Sequence, residues 1–337
     1  MLFADKDVLE FENKIHQAKD IVLLTHFNPD GDAIGSCVGL YHYLKTKNKE
    51  LHIISPNEFP HFLDYLIEDV PYVLGSKETD KAKHLLDNSD LIICLDFNTS
   101  SRVGDALSET LNNTKVDKIL IDHHLNPEST YKIVFSHPPS SSTCEIVYEL
   151  ILHLNQYKPF LNKDIAQALY TGICTDTGSF SFGCNHRRCY EIVGDLVENG
   201  ADVEFVHQEV FNTNSENRLR LLGFCLCERM TVIAEKKTAF IYLSKSDLKR
   251  FHFQIGDTEG IVNYCLSIKG IEFGILVTER IDRVRLSFRS KYDFDVNKFA
   301  REYWNGGGHR KASGGHEFDT LENVVKKLRE QINTLEL

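Results

Sequence analysis

The sequence has few of the features that mark fibrous, secreted or membrane-spanning proteins. It contains 20 glycines and 8 prolines in 337 residues, too few for a fibrous or low-complexity chain. The longest apolar runs, such as residues 21–24 and 91–95, are far too short to span a bilayer. The N-terminus lacks a basic segment followed by an apolar stretch, so we find no signal peptide and expect a cytoplasmic protein.

Cys-x-x-Cys pairs are also missing. The nine cysteines are scattered along the chain without a Cys-x-x-Cys motif. Cys225 and Cys227 lie in a helical pattern, where residues two apart point to different faces, so they do not suggest a metal clamp. We therefore expect buried thiols in a reducing compartment.

Positive charge is scarce relative to negative charge. The chain has 38 lysines and arginines against 49 aspartates and glutamates, which gives a formal net charge of −11. Such a chain is a poor candidate for holding long duplex nucleic acid or an anionic membrane by bulk charge. A short polyanion held by a local basic patch remains compatible with this composition.

The residues that are present predict a folded α/β protein of two domains. Hydrophobic residues make up 42% of the chain, and its length favours two domains over one. In the first part, short apolar runs alternate with helical patterns, as in a doubly wound parallel sheet that is covered on both faces. The predicted strands are residues 21–25, 51–55, 91–95, 118–121 and 131–135.

The pattern changes twice further along the chain. Residues 1–200 form the predicted first domain, and residues 201–227 read as a helical connector. Residues 228–337 form a smaller α/β domain with predicted strands at 238–243, 271–279 and 283–290. A cluster of three glycines precedes the last predicted helix of this domain.

Aspartates and histidines follow three of the predicted parallel strands, and one more aspartate ends a helix. These candidates are His26, Asp30 and Asp32 after the first strand, Asp96 after the third, Asp122, His123 and His124 after the fourth, and Asp176. Because the carboxyl ends of parallel strands meet at one edge of a sheet, we expect them to lie close together. So many carboxylates at one place would repel each other unless cations offset their charge.

The residue types indicate which cations these would be. Imidazole together with carboxylate, without cysteine, favours Mn²⁺ over Mg²⁺ and leaves Fe, Co and Zn open. The set is too large for one ion and suits two, which at about 3.5–4 Å apart would clamp the oxygens of a phosphoryl displacement. A single aspartate at a strand end is more often a helix cap or turn residue, but caps do not account for the whole set.

The motifs resemble those of the DHH phosphoesterase superfamily. Asp122-His123-His124 is similar to its signature, and His26-x-Asn-Pro-Asp30-Gly-Asp32, Asp96 and Thr175-Asp176-Thr177-Gly178 match its other motifs. Residues 305–309 and 312–315 resemble the glycine motif of the DHH-associated domain. The resemblance covers nearly the whole chain, and the most similar subfamily is the bacterial oligoribonuclease (nano-RNase) and pAp-phosphatase group.

This resemblance implies roles for individual residues. It implies six metal ligands: His26 and Asp30 on one ion, Asp32, His123 and Asp176 on the other, and Asp96 bridging both. Asp122 would orient the neighbouring histidine, and His124 would face the scissile phosphate. The nucleophile would be a water activated by the two cations.

Candidate substrate contacts lie mainly in the second domain. The backbone of Gly306, Gly307 and Gly308 can approach a phosphate closely, and His309 adds a donor. By family pattern Arg289 would bind substrate, and Arg102 is a weaker candidate on the metal side. Arg283 and Arg285 stay undecided, and Trp304 could stack on one base.

The resemblance implies a two-metal phosphoesterase that hydrolyses very short RNA to mononucleotides and pAp to AMP and phosphate. We expect short RNA and pAp as partners, no long duplex and no membrane, and we leave a homodimer open. Alternatives are a linear- or cyclic-dinucleotide phosphodiesterase, whose membrane-anchored relatives carry segments that this chain lacks, and a manganese pyrophosphatase. The non-enzymatic alternative is a metal-dependent nucleotide sensor, which would need a degraded set of ligands.

Overall fold

The structure is a computed structural model and describes residues 2–158 and 160–335. The chain divides into two compact units, one that ends at Thr213 and one that begins at Asn214. This division falls inside the predicted connector, whose own boundaries stay a prediction. Among the described residues, no helix has the length and apolar character needed to cross a bilayer.

A six-stranded parallel sheet lies at the centre of the first unit. Its strands are β1 (Asp20–Leu24), β2 (Glu50–Ser55), β3 (Tyr72–Leu74), β4 (Leu91–Leu95), β5 (Lys118–Asp122) and β6 (Ile133–Ser136). Their order is β3-β2-β1-β4-β5-β6, and every neighbouring pair is parallel. The α/β fold with a parallel sheet is therefore confirmed, and the short edge strand β3 was not predicted.

Helices cover both faces of this sheet. They are α1 (Asp5–Gln17), α2 (Gly31–Lys45), α3 (Asp64–Ile67), α4 (Thr79–Asn88), α5 (Asp105–Asn113), α6 (Thr143–Leu154), α7 (Lys163–Asp176), α8 (Arg187–Glu198) and α9 (Val203–Asn212). Alternate residues of β1 enter two different cores: Ile21 and Leu23 pack with α2, α6 and α7, while Val22 and Leu24 pack with α4 and α5. This two-sided burial explains why the strands are continuously apolar.

A close contact between helices brings α2, α6 and α7 together next to the carboxyl edge of the sheet. A Cβ atom at Gly172 of α7 would overlap the sulfur of Cys144 and would lie 3.0 Å from Oδ1 of Asp32. Only glycine therefore allows these three helices to approach this closely. The consequence is that carboxylates from α2 and α7 come close to the amino end of α6.

The second unit contains a mixed six-stranded sheet. Its strands are β7 (Met230–Ile233), β8 (Thr238–Leu243), β9 (Phe273–Glu279), β10 (Val284–Ser290), β11 (Gly307–Gly308) and β12 (Ala312–Glu317). Their order is β11-β12-β10-β9-β8-β7, with only β8 and β9 parallel. Its helices are α10 (Glu216–Phe224), α11 (Lys245–Arg250), α12 (Ile261–Ser267), α13 (Val296–Tyr303) and α14 (Leu321–Thr334).

The two faces of β10 have different surroundings. Val284, Leu286 and Phe288 are buried in a core with α13 and α14. The residues between them point to the opposite face, where α12 packs near β8 and β9 in a separate core. Arg285 and Arg289 lie on this second face, and Arg285 is exposed while Arg289 is half-buried.

The cysteines agree with the sequence analysis except at one position. All nine are free, and all but Cys227 are buried. Cys225 is buried while Cys227 is exposed, so the two point in different directions, as expected for residues two apart in a helical segment.

Candidate active site

The three strands that precede the candidate ligands are neighbours in the first sheet. β1 lies between β2 and β4, and the chain order reverses at this point, which is where ligands bind in open α/β sheets. His26 follows β1, Asp96 follows β4, and Asp122 is the last residue of β5. The sheet thus brings side chains that are 96 residues apart in sequence to one edge.

The segment between β1 and α2 is held by polar contacts. Asn28 has a φ of +54°, and its backbone N–H donates to Oδ1 of Asn57 at 2.6 Å. Asp30 caps α2, because its Oδ1 accepts from the N–H groups of Asp32 and Ala33, both at 3.1 Å. Asp30 therefore has the cap role expected of a lone aspartate while it also lies in the candidate metal group.

His26, Asp30 and Asp96 form the first group of potential ligands. One ligand atom of each lies within 4.8 Å of the others. Nε2 of His26 is 3.4 Å from Oδ2 of Asp96 and 4.0 Å from Oδ1 of Asp30. Nδ1 of His26 is 2.9 Å from the carbonyl oxygen of Phe27. When Nδ1 carries the ring proton and donates it to this oxygen, the lone pair of Nε2 points towards the carboxylates and can bind a metal ion.

Asp32, Asp96 and His123 form the second group, again with ligand atoms within 4.8 Å of each other. Nε2 of His123 is 3.6 Å from Oδ1 of Asp96 and 3.8 Å from Oδ2 of Asp32. Oδ2 of Asp176, at the end of α7, is 3.5 Å from the same nitrogen. Asp96 belongs to both groups, which is the position that a bridging carboxylate requires.

The amino end of α6 orients two of these carboxylates, a contact that the sequence analysis missed. The backbone N–H of Thr143 donates to Oδ2 of Asp32 at 2.6 Å, and that of Cys144 donates to Oδ1 at 2.9 Å. The hydroxyl of Thr143 donates to Oδ1 of Asp96 at 2.9 Å. A signal for this helix start was available, since Ser142 caps α6 by accepting from the N–H of Glu145.

Asp122 lies against His124. Oδ1 of Asp122 lies 2.7 Å from Nδ1 of His124, and Nδ1 is 3.7 Å from Oδ1 of Asp96. A carboxylate at this distance accepts the Nδ1 proton, which leaves Nε2 of His124 unprotonated in the neutral ring. Asp122, His124 and Asp96 also form a potential metal-binding group.

Arg102 lies near these histidines. It belongs to a short 3₁₀ helix, Ser100–Val103, and its carbonyl oxygen accepts the N–H of Phe27 at 2.7 Å. Its positive charge contributes to the lowered pKa of both His26 and His124, after the larger effect of burial. Arg102 is therefore a cation close enough to act on the histidines of this cluster.

The electrostatics of the cluster show an excess of negative charge. Burial and the charges of Asp32 and Asp30 raise the pKa of Asp96 well above its usual value. Burial would lower the pKa of His123, but the carboxylates of Asp176 and Asp32 outweigh it and raise this pKa. Buried carboxylates that share one place hold a proton or a cation, and these groups could hold divalent cations.

The donor set fits divalent metal ions. Two groups, each with one imidazole nitrogen and carboxylate oxygens, share a single carboxylate, and neither contains a thiolate. Such ligands suit Mn²⁺ and also accept Mg²⁺, Fe²⁺, Co²⁺ or Zn²⁺. The hydroxyl of Thr143, which donates to Asp96, provides the orientation that metal ligands commonly need.

Strand pairing explains why one position of the glycine cluster in the second unit is glycine. A Cβ atom at Gly306 would overlap the carbonyl oxygen of Gly314, so strand pairing alone excludes a side chain there. The N–H of Gly308 donates to Oδ1 of Asn297 on α13, a helix that was not predicted although Asp295 caps it. Gly307 faces Asn297 and Arg301 at ordinary contact distances.

The other substrate candidates of this unit occupy different environments. The N–H of His309 donates to the carbonyl of Ala312 in the turn between β11 and β12. Nη1 of Arg289 donates to the carbonyl oxygen of Phe288 at 3.1 Å. The suggestion that Trp304 stacks on a base is wrong, because its side chain is 0% exposed and packs in the core with α14.

Two family matches follow the division of the chain. Residues 20–173 match the DHH family, N-terminal domain, and residues 243–334 match the DHHA1 domain. The first match contains β1 to β6 and seven of the eight candidate residues around the metal groups, since Asp176 lies just beyond it. The second contains the glycine cluster and Arg289.

Several proteins of known name are similar over most of the chain. The bifunctional oligoribonuclease and PAP phosphatase NrnA of Bacillus subtilis is 29% identical over 313 residues, which cover 91% of this chain and 93% of that protein. The protein of the same name from Thermus thermophilus is 28% identical and covers 93% and 90%. The cyclic-di-AMP phosphodiesterase GdpP of B. subtilis is 26% identical, over 88% of this chain and 44% of its own.

Solved structures show the same architecture. The crystal structure of an exopolyphosphatase-related protein from Bacteroides fragilis is 39% identical, with a TM-score of 0.90 over 98% of this chain and 96% of that one. RecJ from Thermus thermophilus, crystallised with Mn²⁺, has a TM-score of 0.57 at 13% identity, over 98% of this chain and 55% of its own. At this identity RecJ is similar in fold alone.

Proposed function

Because this chain belongs to the DHH family, we propose that it is a metal-dependent phosphoesterase that hydrolyses very short RNA to mononucleotides and pAp to AMP and phosphate. The observation that carries the proposal is the pair of histidine–carboxylate groups that share Asp96. Relatives named oligoribonuclease and PAP phosphatase, which match over nine-tenths of both chains, support the choice of substrate.

Two divalent ions, most simply Mn²⁺, complete this centre. We assign them to His26 and Asp30 on one side, Asp32, His123 and Asp176 on the other, and Asp96 between them. When bound, such ions supply Lewis acidity to phosphate oxygens and lower the pKa of water. The chain's own contribution is to fix the ligands, since Thr143 holds both Asp32 and Asp96.

We assign His124 to the substrate rather than to the ions, and Asp122 positions it. Oδ1 of Asp122 accepts the Nδ1 proton of His124 and fixes the ring, so that Nε2 faces the substrate. Nε2 contacts a phosphate oxygen or the leaving group as a donor, in the doubly protonated ring. Arg102 adds positive charge on the same side and stabilises the negative charge that develops on phosphate. No serine or cysteine nucleophile is required by this arrangement.

The second unit holds the rest of the substrate. We assign phosphate contacts to Arg289, His309 and the backbone of Gly306, Gly307 and Gly308. With this assignment, the chain consists of a catalytic domain (1–200), a helical connector (201–227) and a substrate-binding domain (228–337). We also propose that the protein acts in the cytoplasm. Because Gly308 already donates to Asn297, its contact with a phosphate would share that N–H.

A second candidate is hydrolysis of cyclic or linear dinucleotides. A match at 26% identity between 88% of this chain and the cyclic-di-AMP phosphodiesterase GdpP favours this candidate. The same metal centre would serve both candidates, because each reaction breaks a P–O bond of a phosphate ester. The two candidates differ only in which substrate the second unit accepts.

One assay panel tests these proposals. The purified chain with Mn²⁺ is given pAp, a dinucleotide, a pentanucleotide RNA, cyclic di-AMP and pyrophosphate, and products are separated by chromatography. We expect AMP and phosphate from pAp and mononucleotides from the RNAs. Pyrophosphate as the best substrate, or no hydrolysis of any RNA or pAp, would overturn the proposal. The exposed Asp80 of α4 provides the matched control for carboxylate variants, Asp80→Asn.

A further inference from the structure

Three arginines lie together at one end of the sheet in the second unit. Arg280 and Arg283 close the hairpin between β9 and β10, where the N–H of Arg280 donates to the carbonyl of Arg283 at 2.8 Å. Thr278 pairs with Arg285 across these strands. Because residues alternate between faces, all three arginines share the face opposite the buried Val284.

Aromatic rings accompany these arginines. The guanidinium of Arg280 lies 4.4 Å from the ring centre of Phe253, and that of Arg283 lies 5.2 Å from the ring centre of Phe318. Phe318 is 65% exposed, so most of its ring is open to solvent. His316, which pairs with Arg285, meets the Phe318 ring edge-on at 5.2 Å.

The positive charge of this cluster is only partly balanced. Arg283 forms an ion pair with Asp282 at 2.6 Å. In the described part of the chain, neither Arg280 nor Arg285 forms an ion pair, although the charge of Glu259 acts on Arg285. Burial and the nearby Arg285 lower the pKa of Arg280 to about 10, so it stays charged at neutral pH. In a chain with a net charge of −11, such a cluster is suited to an anionic ligand.

The distance to Arg289 limits what this ligand can be. Arg285 and Arg289 share a face of β10 and are four residues apart, which is about 14 Å along a strand. This separation favours contacts of the two arginines with different phosphates over a contact of both with one phosphate. An RNA of several nucleotides can reach both.

We propose that Arg280, Arg283 and Arg285 together with Phe318 form a distal RNA subsite, which binds a backbone phosphate and stacks one base of a substrate longer than a dinucleotide. Arginine contacts to phosphate and base stacking on an exposed aromatic ring are the usual means of holding single-stranded RNA. The inference rests on the proposed function for its substrate. The subsite would explain how named residues set the preferred length of the RNA. Substrates as short as pAp and dinucleotides bind without the distal subsite, and longer oligonucleotides use it.

The test compares substrates of different length. Arg285→Gln and Phe318→Ala, alone and combined, are assayed with Mn²⁺ on pAp, a dinucleotide and a pentanucleotide, with the exposed Arg220→Gln as control. We expect the double variant to lower kcat/KM on the pentanucleotide about tenfold and to change pAp and the dinucleotide less than twofold. Arg285→Lys should retain more activity than Arg285→Gln because it keeps the charge. Equal losses on all three substrates, or none on any, would overturn the subsite.

A binding measurement separates this inference from the proposed function. Fluorescence anisotropy of a labelled pentanucleotide is recorded with wild type and double variant in a chelating buffer. If the wild type hydrolyses nothing, the proposed function fails, but a tenfold weaker Kd of the double variant still supports the subsite. An unchanged Kd of the double variant overturns the subsite whatever the activity. Inorganic tripolyphosphate, which has no base, is the second probe. If Phe318→Ala weakens the binding of tripolyphosphate as much as that of the pentanucleotide, Phe318 does not stack a base and the subsite is overturned.

Discussion

The two sheets contain six strands each but present their polar side chains in different ways. The first sheet is parallel and buried on both faces, so polar groups occur at the strand ends, where Asp96 and Asp122 lie. The second sheet is mixed, and the outer face of β10 carries Arg285 and Arg289 along the strand. A doubly covered sheet therefore provides a compact, acidic site, whereas a partly covered sheet provides an extended, basic one.

This difference suggests a division of work between the units. A compact cluster of carboxylates is suited to holding cations for chemistry, because its own charges repel each other without them. An extended face with arginines is suited to several phosphates in a row. Variants in the first unit should therefore affect all substrates alike, and variants in the second unit should affect substrates according to length.

The largest effect is expected from Asp96, the one carboxylate that belongs to both groups of potential ligands. Asp96→Ala should abolish hydrolysis of every substrate while circular dichroism shows an intact fold. More than about a tenth of the wild-type kcat, a loss of at most about 1.4 kcal/mol, would contradict the bridging role. Asp80→Asn should retain full activity.

The next effect concerns the hydroxyl of Thr143, which donates to Asp96. Thr143→Val keeps the shape and the backbone N–H but removes this donor, so kcat should fall by about 10- to 100-fold on all substrates, with weaker Mn²⁺ affinity. Thr143→Ser retains the hydroxyl and should stay within a few-fold of wild type. A Thr143→Val protein whose Mn²⁺ titration matches the wild type would exclude an orienting role.

His309→Ala tests the other side of the comparison. The residue lies in the second unit, in the turn between β11 and β12, and we expect about a tenfold lower kcat/KM on RNA because one donor to phosphate is lost. Metal content by elemental analysis should stay unchanged. A drop in bound metal would show that His309 serves the metal centre and that the two units do not divide the work in this way.

The smallest effect is the dependence on RNA length beyond the reach of the second unit. The candidate phosphate contacts are few, and each one contributes about −0.7 to the salt slope on a single strand. We therefore expect kcat/KM to flatten or fall between about three and about twenty nucleotides, with a shallow salt dependence. A steady rise over this range with a steep salt slope would indicate a long binding channel, as in processive single-strand nucleases.

Sequence alone predicted the first sheet and the composition of the candidate site for a physical reason. Strands buried on both faces are continuously apolar, and polar residues that follow them must lie at the edge where the strands end. Contacts that depend on distant parts of the chain were out of reach. Thr143 meets Asp32 across 111 residues, and only the packing of α2 against α6 and α7 brings them together.

The second unit was harder to predict because tertiary pairing decides its structure. β11 and β12 are rich in glycine, which has low strand propensity, and they form a sheet by pairing with each other and with β10. Trp304 precedes the glycine cluster and was expected at the surface, yet it is buried in the core. Helix α13 could have been found, since Asp295 precedes apolar residues at helical spacing.

The backbone of Asp96 carries a consequence for engineering this protein. Its φ is +65°, a left-handed conformation that costs a residue with a side chain of order 1–3 kcal/mol and that glycine adopts freely. Asp96→Gly would relieve this strain and remove a buried, charge-repelled carboxylate at the same time. A library screened for thermal tolerance would therefore enrich glycine at the position where a screen for turnover requires aspartate, so the two kinds of screen would select opposite residues at this point of the chain.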